Sequence, residues 1–348
     1  MEKQLSFSEF EYASKTKKTK KEKFLEEMSA VLPWSRWCEI IQPFYFLKGN
    51  GREPTPLITM LKMYLLSLWY NISDEILEDT IHDSMSFKNF IGTHVPDATT
   101  LCRFRRMLEK NKLNKKIFTE EVEVLKENGM IREHGTIVDA SIIHAGASKK
   151  NKDKKANPEM SSVKKGNQWH FGMKSHIGVD EDSGLVHSAV ATIAKEHDLI
   201  PVHKCLHGKE KRIRGDSGYV GIEKRAEVCE KLHDGTGEIE IIKTKIKNKA
   251  TKLTVHKKRD VEFIINKRAS KITQEDKPQE YAKSKIRAKV EHIFLILKHI
   301  FGFRKVRLRT ITANEERLYM YYSLVNIYKI SRMQHPPKTS AAMQLLAA

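Results

Sequence analysis

An aspartate in the middle of an otherwise apolar, β-branched run is the feature that most narrows what this chain can fold into. Residues 135–146 read GTIVDASIIHAG. Ile137, Val138, Ile142 and Ile143 favour a pleated, mostly buried strand. A carboxylate at Asp139 must then leave water, which is unfavourable unless a cation compensates it. Two readings meet that demand: an Asp that caps a turn or pairs with an arginine, and a ligand for a metal ion. The rest of the chain has to choose between them.

With 348 residues the chain is long enough for a full core and two or three domains. The texture divides it into a polar, basic arm over 1–30, a helical domain over 31–130, an α/β domain over 131–335 and a tail over 336–348. A hydrophobic content of 40% fits a soluble globular protein. No run is long and apolar enough to span a bilayer, and the first residues lack an apolar signal core, so a cytoplasmic protein is expected. Cys38, Cys102, Cys205 and Cys229 lie far apart without a C-x-x-C pair, which supports neither a zinc knuckle nor a disulfide framework.

Charge says more. The net charge is +19, and residues 243–309 carry 21 Lys and Arg against 6 Asp and Glu, a local balance of +15. Residues 149–165 and 15–23 add two further basic tracts. Such an excess repels itself when alone and favours a polyanion as partner, so nucleic acid is preferred over a merely solubilising surface.

Residues 55–73 begin with Thr-Pro and read as a buried helix. Residues 73–92 read as a second, with Ser73 as N-cap, acidic residues in the first turn and Gly92 as C-cap. Asp97, Thr99 or Thr100 caps a third helix, whose Arg103, Arg105 and Arg106 spread around its circumference. Two short helices, the second basic, make a helix-turn-helix-like unit or a plain helical bundle; Arg103 and Arg106 are its candidate DNA contacts. After residue 134 strands are expected at 136–145, 168–180, 185–193, around 211–221 and at 238–246, with helices at 197–208 and 222–235. That is a mixed, five-stranded sheet with flanking helices. In 168–180, Phe171, Met173, Ser175 and Ile177 alternate with His170, Lys174 and His176; Lys174 and His176 are candidate DNA contacts, and Trp169 is assigned to the core rather than to a base-stacking platform. Asp198 of Glu196–Asp198 reads as a helix N-cap, with an acidic supporting role near the site as the alternative. The segment 247–283 has no clear assignment.

Two further acids attract attention. Asp216, in GDSGYVG, ends a strand, where ligands gather in open α/β sheets; a plain Asx-turn is the alternative. In 284–303, Ile286, Val290, Ile293, Leu297 and Ile300 form an apolar helix stripe. Arg287, Glu291 and Lys298 lie on a neighbouring one, either a surface ion pair or a carboxylate flanked by phosphate-binding cations.

The motifs TIVDASII, KGNQWHFGMKSHIGVDEDSGLVHS, GDSGYVGIEKR and IRAKVEHIFLILKHIFGFRKVRLR occur in this order. Together they closely resemble bacterial insertion-sequence transposases of the insertion-sequence-five group, within the insertion-sequence-four-like DDE superfamily. The helical region from 70 to 113 resembles the N-terminal region of the same proteins. The resemblance implies an RNase H-like catalytic domain after an all-helical N-terminal domain. It places a catalytic and metal-binding triad on Asp139, Asp216 and Glu291, with two Mg²⁺ or Mn²⁺ ions per site. The superfamily's Y-x2-R-x3-E-x6-K pattern falls on Arg287, Glu291 and Lys298, with Ser284 in place of the Tyr. It further implies double-stranded DNA as partner, both terminal inverted repeats and target, and a homodimer or higher oligomer; no small-molecule substrate or organic cofactor is expected. Arg304, Lys305 and Arg307 join Arg287 and Lys298 as expected DNA contacts. A two-metal nuclease without strand transfer and an inactive or domesticated DNA-binding relative share these features.

Overall fold

The computed structural model describes residues 17–45, 53–92, 94–146, 157–233, 239–246, 249–256 and 260–333. Residues 1–16 of the basic arm, the lysines of 149–156 and the tail 336–348 lie outside the described residues. The chain divides into two compact units: residues 1–113 with 327–348, and residues 114–326. The division falls ahead of the expected boundary near 130, because a helix at Leu113–Glu127 belongs almost wholly to the second unit.

The first unit is helical, with α1 (Lys20–Val31), α2 (Trp34–Ile41), α3 (Leu57–Trp69), α4 (Asp74–Asp83), α5 (Met85–Ile91) and α6 (Ala98–Lys110). α3 starts directly after Pro56, and its apolar sequence is buried on nearly every side, which makes it the centre of this unit. The helix expected over 73–92 is broken at Ser84, whose extended backbone separates α4 from α5; Gly92 ends α5 at φ +105. Asp97 caps α6 by accepting from the Thr100 amide at 2.7 Å. Arg105 is held on α4 by Asp74, both carboxylate oxygens lying 2.7 Å from Nη1. Arg103 and Arg106 stay exposed on the outer face.

The second unit begins with α7 (Leu113–Glu127) and continues with β1 (Gly135–His144), β2 (Ser161–Lys165), β3 (Gln168–Asp180), β4 (Val186–Ile193) and β5 (Arg212–Gly215). There follow α8 (Ala226–Leu232), β6 (Ile239–Ile246), β7 (Lys249–His256), β8 (Glu262–Ile265), α9 (Lys277–Leu295) and α10 (Ile311–Met333), whose residues from Ile327 onward are counted with the first unit. Six strands form one mixed sheet. β1 and β4 run antiparallel to β3 on its two sides, β5 lies parallel to β1, and β8 parallel to β5. β2 is a sixth strand, pairing only with residues 168–172 of β3.

Two assignments change. The run 238–246 does not supply the fifth strand; β6 pairs only with β7, as a separate hairpin, and the sheet is completed by β8 from the segment that sequence could not place. The expected helix at 197–208 is only a 3₁₀ turn at Val202–Cys205, since Pro201 interrupts it after one turn.

One face of the sheet is covered by Val202, Cys205, Leu206, Tyr219, Val228 and Leu232 packed on Val138 and Ile213. α10 covers the other. Its Tyr322 hydroxyl meets Ser175 at 2.6 Å, and the Asn326 amide both donates to and accepts from the Val186 backbone at 2.8 Å, satisfying the edge of β4. Gly135 opens β1 because Glu181 fills the space a side chain would need; that carboxylate binds Arg212 and Arg214 of β5 at 3.1 and 2.8 Å.

Candidate active site

Asp139 lies midway along β1, opposite Ile177 of β3. Its side chain is 17% exposed. It accepts from the Ala140 amide at 2.8 Å, and Arg287 Nη1 of α9 stands 3.6 Å from Oδ2. Burial pushes its carboxyl up to about 7, and the charge of Asp216 pushes in the same direction, against the Ala140 amide, Arg287 and Lys165. The parallel pairing of β1 with β5 carries Asp216 toward the strand that holds Asp139. Just past β5, Asp216 accepts from the Gly218 amide at 2.8 Å, so it forms the Asx-type turn. Glu291, on α9, is 58% exposed and bound at 2.8 Å by Arg287 Nη2. Arg287 therefore bridges the first and third acids, while its Nε is buried without a hydrogen-bond partner.

α9 ends in a π-helical turn at Ile296–Ile300, closed by the Phe301 amide on the Ile296 carbonyl at 2.9 Å. The extra residue per turn shifts the apolar stripe. Val290, Ile293 and Leu297 are buried as the spacing predicts, but Ile296 takes the inward place of Ile300, which is exposed. The same turn brings Lys298 Nζ to 2.8 Å from the Ile142 carbonyl of β1. Burial lowers its pKa, helped by Lys165 and Arg304. Residues 304–306 then run beside the end of β1: the His144 amide donates to Arg304 O at 3.0 Å and the Val306 amide to His144 O at 2.7 Å. The side chains of Arg304, Lys305 and Arg307 are exposed there, so a cationic border lies next to the acids.

Four residues differ from expectation. His176 is 1% exposed and bonded to Thr192 Oγ1 at 2.7 Å; burial lowers its pKa to about 4. β3 has neighbours on both edges and layers on both faces, so His176 is an interior residue rather than a DNA contact. Lys174 Nζ is held at 2.8 Å by the Glu196 carbonyl and at 2.9 Å by Asp198. Asp198 caps no helix and instead fixes that lysine, 3.8 Å from His176 Nδ1. Trp169, assigned to the core, is 71% exposed. Ser284, at the superfamily's Tyr position, receives a 3.3 Å hydrogen bond from Asn266 Nδ2.

The sequence reading missed Tyr219. Its ring is buried against Gly215, where a β-carbon would come within 3.0 Å of it, and the charges of Asp139, Asp198 and Asp216 all act on its hydroxyl. The signal was present in GDSGY, a glycine beside an acid just ahead of an aromatic, but nothing local says that the ring folds back under the strand end.

Oxygen donors on separate rigid elements suit a hard divalent cation, and Asp139 remains under-compensated even with Arg287 beside it. Among the described residues, however, no three His, Cys, Asp or Glu side chains are drawn together closely enough to form a metal cage; Arg287 occupies the gap between Asp139 and Glu291.

A family model described as a transposase DDE domain matches residues 132–327, more than half of the chain and including all three acids. The chain belongs to the DDE transposase family. A second family model, described as a transposase domain (DUF772), matches residues 13–107, the helical part. Among solved structures, the piggyBac transposase in a synaptic complex with hairpin DNA is similar at 11% identity over 92% of this chain and 76% of that chain, with a TM-score of 0.39. No helix among the described residues of this transposase is long and apolar enough to cross a membrane.

Proposed function

We propose that this DDE transposase mobilises an insertion sequence of the insertion-sequence-five group in a bacterial cell. It would bind the element's terminal inverted repeats, cut a strand at each end and join the freed 3′-OH to target DNA. The reading is carried by one observation: Asp139, midway along β1, feels the charge of Asp216, just past the end of the parallel strand β5, and Glu291 is tied to Asp139 through a shared arginine. The strand order, with two strands parallel to β1 on one side and antiparallel strands on the other, supports an RNase H-like catalytic domain.

Asp139, Asp216 and Glu291 would hold two Mg²⁺ or Mn²⁺ ions. Such ions activate an attacking oxygen and stabilise a leaving one. The chain's own groups do the rest. Arg287, now engaged by two carboxylates, has a guanidinium fork suited to a phosphate, and Lys298 stands beside β1 as a second cation. The border formed by Arg304, Lys305 and Arg307 would follow the backbone of the duplex, and Arg103 and Arg106 of α6 would contact the repeat. In the first step water displaces a 3′ oxygen at the scissile phosphate and leaves a 3′-OH. In the second that hydroxyl displaces the 3′ oxygen of a target phosphodiester, one P–O bond forming as one breaks. Two ends must be held together, so a dimer or higher assembly is expected.

The test is incubation with labelled element ends and Mg²⁺, scoring nicked and joined products separately. Asp139→Asn, Asp216→Asn and Glu291→Gln should each keep end binding and lower cleavage by about 10²-fold or more. Full cleavage in any of the three removes that residue from the site. Nicking without joining assigns a nuclease, and binding without either product assigns a DNA-binding relative.

A further inference from the structure

We propose that the far end of β1 carries a proton-coupled phosphate site, in which the His144 and His170 imidazoles take up protons as a DNA backbone phosphate settles beside them and Lys305. The inference rests on the transposase reading above for the source of the phosphate, and adds to it two residues and a dependence on pH.

The site begins with a missing side chain. Gly172 of β3 is the cross-strand partner of His144. A β-carbon there would lie 2.1 Å from the Ile143 carbonyl oxygen, so only glycine lets the two backbones come this close. His170 lies two positions back from Gly172, on the same side of β3. With no side chain at 172 to separate them, the His144 and His170 ring centroids are 5.1 Å apart. The lysine arrives along the other edge of β1. The His144 amide donates to Arg304 O at 3.0 Å and the Val306 amide to His144 O at 2.7 Å. This pairs Lys305 with His144 in parallel register, and paired residues project from the same side of a sheet. The π turn fixes the surround: Lys298 Nζ meets Ile142 O at 2.8 Å, and Arg304 donates to the Lys298 carbonyl at 3.0 Å and to His299 Nδ1 at 2.8 Å.

The charges around this pair have one sign. Among the described residues the groups acting on His144 are His170 from β3, Lys298 from the π turn and Lys305 from the segment beside β1. Desolvation, followed by these neighbours, lowers the His144 pKa. The imidazole therefore stays neutral at pH 7 until an anion offsets the lysines. A phosphate reverses the balance: its charge favours the imidazolium, and protonation turns each ring's acceptor nitrogen into a second N–H donor. A metal cation is the wrong occupant, because Lys298 and Lys305 repel it. His144 and Lys305 are exposed and His170 is half-buried, so a backbone phosphate can enter from solvent. His144 lies five residues beyond Asp139 on the same strand, about 17 Å in extended chain. At about 3.4 Å of axis per nucleotide, one duplex can serve both places.

The experiment uses the full chain without added metal and a labelled 20-base-pair duplex, at one ionic strength, at pH 5.5 and pH 8. The gain in affinity on acidification should be about 10- to 100-fold larger for the parent than for the double variant His144→Gln, His170→Gln, a factor of about ten for each imidazole whose pKa rises by one unit on binding. Asp139 also titrates in this range, but it does so in both proteins and leaves the comparison intact. The two proteins should bind alike at pH 8, and His299→Gln should keep the parent's gain, since that ring is already engaged by Arg304. A second arm needs no double variant. In protein labelled with ¹³C-histidine, the His144 and His170 ring signals, assigned from the single variants, should titrate at higher pH with the duplex bound than without it. Ring titrations that the duplex leaves unchanged overturn the proposal, as does a double variant with the parent's full gain. Binding at pH 8 with no gain at pH 5.5 overturns this inference alone, whereas no binding at either pH overturns the transposase reading with it.

Discussion

Asp139 is held where its charged form is at a disadvantage, and the disadvantage has a measurable sign. In an unfolded chain the group titrates near 3.8, and in the fold near 7. Between these values the folded state keeps a proton that the unfolded state has released. Stability contributed by this group therefore falls as pH rises from about 4 to 7, and the deficit is complete above 7. A shift of that size corresponds to at most on the order of 4 kcal/mol. Asp139→Asn should accordingly raise the melting temperature of the metal-free protein by several degrees at pH 8 and leave it nearly unchanged at pH 4. Added Mg²⁺ should stabilise the parent at pH 8 more than the variant, because the ion supplies what the asparagine no longer needs. A variant that melts with the parent at both pH values would mean that Arg287 already compensates the carboxylate in full. The opening choice between an arginine partner and a metal ligand thus becomes a comparison of strengths: Arg287 is present at 3.6 Å, and the carboxyl is still raised.

At the scale of elements, what could be read from sequence was periodicity and what could not was neighbourhood. β1, α3 and most of the α9 stripe follow from runs whose apolar spacing decides the structure locally. Asp139, Asp216 and Glu291 were legible as candidates for the same reason, since each interrupts or flanks such a run. His176 was not, because alternation states which residues share a face and not whether both faces are covered, and β3 is enclosed on both. Trp169 was misassigned in the opposite sense: indole hydrophobicity argues for the interior, but the hairpin extends past the layers that would cover it. Ile300 changes places with Ile296 through a π turn that no spacing rule anticipates. Gly172 joins these observations in one test. Gly172→Ala puts a β-carbon into the Ile143 carbonyl, and the hairpin must yield, at an expected loss of about 1–3 kcal/mol. Hydrogen exchange should quicken at the amides of 161–171 and stay slow in β4, which pairs with β3 from Met173 onward. Uniform acceleration through β4 would show that the hairpin is no separate unit but part of the sheet's cooperative core.

At the scale of the whole molecule, the charge of +19 constrains how the protein can meet DNA. The excess is divided between the two compact units. Arg103 and Arg106 are exposed on the helical one, and Lys164, Lys165, Arg304, Lys305 and Arg307 on the sheet-bearing one. If both units track phosphates, the counterions they displace add, and binding should weaken steeply with salt. A footprint of six to ten phosphates predicts a fall of about 10³- to 10⁵-fold in affinity between 50 and 200 mM salt. The slope can then be apportioned. Arg106→Ala and Lys305→Ala should each reduce the logarithmic salt slope by about 1, and the double variant by about 2. Arg105→Ala should leave the slope unchanged while destabilising the helical unit, because that guanidinium is already bound to Asp74 and has no phosphate to release. A slope that responds to Lys305 but not to Arg106 would confine DNA to the sheet-bearing unit and leave the helical one a structural role. An affinity flat across this range would remove the exposed cations of both units from the interface, however basic the sequence.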